Sequence, residues 1–125
     1  MKTILFILLS FTASAQLEII EREVIYQDLQ MFKIEKEDSL FTIFYKDRQY
    51  QEITVIKSFK LYRTQFKQFF DLCTQTIETK QPVSTELYTI KRGLGNAVVY
   101  IGNSWFILSR KKIEKILTKT QPYIE

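Results

Sequence analysis

The chain has 125 residues, 46% of them hydrophobic and 26% charged, with a formal net charge of +4 of which Lys2 supplies one. That balance places it among folded proteins, and the mild, evenly mixed surplus of cations is too small to argue for nucleic acid by itself. The chain contains no histidine and a single cysteine, Cys73. These absences exclude the usual nucleophilic triads, most zinc sites and any disulfide within one copy.

Residues 1–15 read as an address. Lys2 precedes an apolar run from Ile4 to Leu9, extended by Phe11, and Ala13-Ser14-Ala15 supplies the small residues that a signal peptidase requires. A span of the hydrocarbon takes about 20 apolar residues, so this run is too short to be an anchor. Cleavage after Ala15 leaves residues 16–125, the size of one domain with a core of its own. The brevity of the segment and its Ser14-Ala15-Gln16 junction resemble the ends of signal peptides in Bacteroidetes. The resemblance implies a secreted or periplasmic product whose membrane contact is confined to the leader.

Imperfect alternation from Leu17 to Ile25 predicts a first strand, and Met31 to Lys36 predicts a second with Phe32 and Ile34 on one side. Glu37-Asp38-Ser39 then carries turn chemistry. Leu40 to Tyr45 predicts a third strand, Lys46-Asp47-Arg48 breaks the run, and Glu52 to Ile56 begins another. After Tyr62 the period changes. Phe66, Phe69, Phe70, Cys73 and Ile77 make one helical stripe from Tyr62 to Thr79, with Thr64 a candidate cap and Pro82 a stop.

The second half offers strands over Glu86–Lys91, Ala97–Ile101 and Trp105–Leu108, separated by turns at Gly93-Leu94-Gly95-Asn96 and Gly102-Asn103. Ser109 can cap a short final helix carrying Ile113, Ile116 and Leu117, and Thr118 to Glu125 reads as a fraying tail. The expected fold is α+β: one antiparallel sheet of six or seven strands, a long helix on one face and a short one beside it. Phe66-Lys-Gln-Phe-Phe and Ile113-Glu-Lys-Ile-Leu share an apolar pattern, which suggests a duplicated unit of strands closed by a helix, although any amphipathic helix gives this spacing. This order resembles the Whirly and PUR type of single-strand nucleic-acid-binding fold. The resemblance is one of topology without a matching motif, and export argues against the function it implies.

Few residues invite chemistry. Cys73 lies on the apolar stripe, where a thiol behaves as a small hydrophobe. Glu35, Glu37 and Asp38 cluster as turn and solubility chemistry, and no cofactor or metal is expected. Lys91 and Arg92 flank the Gly93 turn and are a candidate anion site, although a strand follows where a dinucleotide motif needs a helix. Arg110, Lys111 and Lys112 stand at the start of the last helix, where its dipole already concentrates positive charge and a bound anion brings relief. Neighbouring strand residues face opposite sides, so of Phe44 and Tyr45, or Trp105 and Phe106, one ring of each pair faces out. Tyr100, Trp105, Arg110, Lys111 and Lys112 therefore form the candidate contact surface. The expected function is an exported, non-catalytic module that binds an envelope protein or an anionic ligand; the alternatives are a single-strand nucleic-acid binder and a hydrolase using carboxylates alone.

Overall fold

The computed structural model describes residues 22–124. The leader and the start of the first predicted strand lie outside them.

The period-two segments form two antiparallel sheets of four strands each, and each sheet is a meander whose last strand runs into a helix. The first sheet comprises β1 (Glu23–Gln27), β2 (Lys33–Glu37), β3 (Leu40–Lys46) and β4 (Ile56–Tyr62), followed by α1 (Arg63–Thr79). The second comprises β5 (Val83–Ser84), β6 (Thr89–Arg92), β7 (Asn96–Ile101) and β8 (Ser104–Ser109), followed by α2 (Arg110–Ile124). Neither described helix is long and apolar enough to cross a membrane. The expected single sheet is thus replaced by two, because each helix returns over a short meander and packs across both halves. α1 touches β3 and β4 of its own half and β6 and β7 of the other, while α2 bridges β1 and β8.

Alternation decides which rings are core. Phe41, Ile43 and Tyr45 of β3 and Ser104, Phe106 and Leu108 of β8 point inward, and Phe44 and Trp105 take the other faces. The helical stripe Phe66, Phe69, Phe70, Cys73 and Ile77 is buried, with Phe66 stacked on Phe41 at 4.4 Å. Fully burying one such side chain contributes about 1.5–3 kcal/mol. One continuous core results, and it reaches from Ile25 to Ile116.

Four local expectations need correction. The strand expected from Glu52 does not begin there: residues 52–55 are not in a strand and β4 starts at Ile56, since Phe59 and Leu61 are the alternate residues that reach the core. β5, two residues long, pairs Val83 with Ile90 between Pro82 and Glu86, where no strand is expected. Thr64 lies inside α1, whose cap is Tyr62: its N–H donates to Gln65 Oε1 at 3.0 Å. The tail also does not fray before Ile124. Thr120 is buried and donates to the Ile116 carbonyl at 2.7 Å, and Tyr123 donates to Glu23 Oε2 at 2.8 Å. Pro122 is tolerated in the final turn, where the ring costs a single ladder bond.

The tight turns behave as their residues demand. Gly102 takes φ 61° at the first position of the two-residue β7–β8 hairpin, the position at which a primed turn favours glycine.

Candidate functional site

Two turns from the first sheet meet the start of β8 and α2, and a cleft of about 430 Å³ lies between them. The first is Asp28–Phe32, which Asp28 organises through its own side chain. Asp28 Oδ1 accepts the N–H groups of Gln30 at 2.8 Å and Phe32 at 3.2 Å, so the backbone closes on the carboxylate, as aspartate does in turns. Met31 takes a left-handed φ of 64°. The consequence is a turn with Leu29 and Met31 exposed at its tip and Phe32 turned inward.

Asp28 Oδ2 also receives Lys112 Nζ at 3.0 Å and the Tyr26 hydroxyl at 3.2 Å. Burial works to raise the Asp28 pKa, but the bonds from Lys112, Gln30 and Phe32 together hold it below the ordinary carboxylate value. Burial and then the Asp28 charge push Tyr26 up to about 12. Lys112 further donates to Gln30 Oε1 at 3.2 Å and lies 4.4 Å from the Phe32 ring centroid.

The second turn follows β3. Asp47 has no solvent exposure, yet its carboxylate accepts from Gln49 N–H at 3.1 Å, Gln49 Nε2 at 2.8 Å and Trp105 N–H at 3.3 Å, and pairs with Lys57 at 3.3 Å. Burial pushes its pKa up and these bonds outweigh that push, leaving it below the ordinary value. Arg48 N–H donates to the Trp105 carbonyl at 2.9 Å. This turn is therefore the joint between the sheets.

Phe32, Tyr45 and Phe106 floor the cleft; Tyr45 and Phe106 stack at 4.4 Å. The Tyr45 hydroxyl shares a 2.6 Å hydrogen bond with Ser104 Oγ. Burial raises its pKa. Lys46, Arg48 and Lys112 stand on the walls, and no carboxylate residue is among the described residues that line it. The chemistry on offer is an apolar aromatic floor beside the exposed cations Lys46 and Arg48, with Lys112 engaged by Asp28, which suits an anion with an apolar face.

From the cleft a band crosses the outer face of the second sheet. Arg48 lies 5.7 Å from the Trp105 ring, Trp105 lies 6.4 Å from its cross-strand partner Tyr100, and Lys91 lies 5.6 Å from Tyr100. The predicted contact residues Tyr100 and Trp105 thus come together, joined by Arg48.

The cations at the start of α2 divide. Ser109 Oγ accepts Lys112 N–H at 3.1 Å as the cap, Lys112 turns to Asp28, Arg110 pairs with Glu78 at 3.2 Å, and Lys111 is exposed. Acids from α1 and the Asp28 turn therefore meet two of the three charges at the helix start. Lys91 and Arg92 also diverge, by strand parity. Lys91 joins the outer band, whereas Arg92 Nε donates to the Ile77 carbonyl near the end of α1 at 3.0 Å. The Gly93 and Gly95 amides are engaged by the Asn96 and Gly93 carbonyls.

Elsewhere, Glu35 pairs with Lys33 at 3.0 Å and Glu37 with Arg22 at 3.2 Å. Cys73 is buried and its thiol is pushed well above the ordinary value by that burial. Among the described residues no group of three acids or thiols converges to hold a metal ion.

Sequence reasoning missed Phe32, Tyr45 and Phe106 as a shared floor, and Lys46-Asp47-Arg48 as more than a break. The signal was an acid between two cations immediately after an aromatic strand; nothing local shows that its partner is Trp105. No protein-family model, curated protein or solved structure matches the chain.

Proposed function

We propose that the chain is an exported, non-catalytic binding module whose cleft takes an anionic partner with an apolar face, a protein of the cell envelope. The cleft carries this reading: three rings form its floor, Lys46 and Arg48 stand on its walls beside the Asp28-paired Lys112, and no acid is among the described residues that line it. Burial of the one thiol and pairing of Glu35 and Glu37 with cations favour binding over catalysis. Export rests on the 1–15 leader.

A second reading has a specific observation behind it. Tyr100 and Trp105, flanked by Lys91 and Arg48 on an open sheet face, make a platform of the kind on which bases of a single strand stack. The order of four strands and a helix, repeated, supports descent from a duplicated unit and the topological resemblance to Whirly and PUR folds. Phe66, Phe69 and Phe70 in α1 occupy the same inward pattern as Ile113, Ile116 and Leu117 in α2.

The test has two arms. Fractionated cells are expected to yield an envelope or medium product beginning at Gln16, and immobilised protein is expected to capture a partner that the Lys46→Glu, Arg48→Glu variant captures at least about tenfold less well. Equal capture by both proteins refutes the cleft. Binding of an oligothymidylate that falls steeply with salt transfers the function to the second reading.

A further inference from the structure

The open edge of the second sheet runs through the cleft, and strand parity sets what it presents. The two-residue turn at Gly102-Asn103 makes Ile101 and Ser104 a hydrogen-bonded pair, and such pairs alternate along an antiparallel ladder. Trp105 and Ile107 therefore aim their N–H and C=O groups away from β7. The Trp105 groups bear out that direction, since Arg48 N–H and the Asp47 carboxylate bond to them from the far side. Asp47-Arg48 is in effect the first rung of a further strand on β8. At Ile107, which lines the cleft, the rung is empty: among the described residues no additional bond engages its peptide groups.

Charge and shape select what completes the ladder. Lys46 and Arg48 carry no ion pair among the described residues, and both stand beside the edge. Phe32 and Phe106 lie inward of it, and Met31 and Leu29 are exposed at the adjoining turn. An exposed edge is a template for another strand, whose alternate side chains fall on opposite faces.

We infer that β8 accepts an extended acidic segment of a partner protein as a fifth strand, an inference that rests on the cleft being a binding site. Main-chain bonds to Ile107 hold the segment, its acidic side chains meet Lys46 and Arg48 on the outer face, and its alternate apolar side chains enter the aromatic floor. A regular series of N–H and C=O groups is what separates a polypeptide from a lipid or a nucleic acid as occupant.

The probe is a short blocked peptide of alternating glutamate and valine, with two controls: the same peptide N-methylated on the residues that face β8, and one with lysine in place of glutamate. Amide hydrogen exchange read by NMR is expected to slow at least about tenfold at Ile107 on saturation, with both controls binding at least about tenfold more weakly. Ile107→Pro removes the outward N–H at an edge position and is expected to weaken binding similarly. If that variant does not fold, the N-methylated peptide decides. Binding that leaves Ile107 exchange unchanged and tolerates N-methylation overturns strand addition while the cleft reading stands. Strand addition is likewise overturned if the peptide fails to bind but dodecanoate or oligothymidylate shifts the Lys46, Arg48 and Trp105 resonances, or if Ile107 is protected without peptide by self-association. If no probe moves any cleft resonance, both readings fall.

Discussion

Replacing Asp47 by alanine removes the carboxylate half of the joint between the two sheets and leaves the Arg48–Trp105 main-chain bond, and the cost follows from what the carboxylate accepts. The Trp105 and Gln49 N–H groups lose their partner in a part-buried setting, while Gln49 Nε2 and the half-exposed Lys57 head can rehydrate. An unsatisfied buried donor costs about 1–3 kcal/mol and an exposed ion pair contributes little, so Asp47→Ala is expected to lose about 2–4 kcal/mol. For a domain of this size that is a fall in Tm of about 10–25 °C. Asp47→Asn keeps one acceptor and is expected to lose about 1–2 kcal/mol.

The pH dependence has a definite sign. The folded pKa of Asp47 lies below its unfolded value of about 3.9, so its stabilisation is complete above that value and is lost as pH falls through the folded pKa. Urea unfolding followed by far-UV circular dichroism at pH 7 and at successively lower pH measures both effects. A loss under about 0.5 kcal/mol at pH 7, or a gap between wild type and Asp47→Ala that does not narrow in acid, refutes the reasoning.

Three further outcomes are open to the same methods. Phe106→Ala, which empties the space between Phe32, Tyr45 and Phe59, is expected to cost about 3–5 kcal/mol in urea unfolding. Gly93→Ala is expected to cost about 1–3 kcal/mol, because its methyl group would collide with Asn96 Oδ1 and press on Val98. Asn96 Oδ1 is itself buried with no partner among the described residues, so adding Asn96→Ala is expected to restore most of that loss in a double-mutant cycle. Cys73 is expected to react with a thiol reagent only as fast as the protein opens, and addition of urea below the midpoint should accelerate the reaction.

Period alone determined much of this protein. Alternation in Leu40–Tyr45 and Trp105–Leu108, the stripe from Phe66 to Ile77 and the Gly102-Asn103 turn are signals that a few residues carry by themselves, because backbone geometry sets them. The α+β class, the absence of an internal disulfide and the burial of Cys73 follow from that same local reading. Tertiary structure alone decided that the strands divide into two sheets, since each helix's choice of surface depends on contacts far away in sequence. It also extended α2 to Ile124, through Thr120 and Tyr123, and it turned Lys112 from an unpaired cation into the partner of Asp28. The cleft belongs to this second kind. Phe32, Tyr45 and Phe106 lie far apart along the chain and converge only where Asp47, buried and held as a carboxylate, fastens one sheet to the edge of the other.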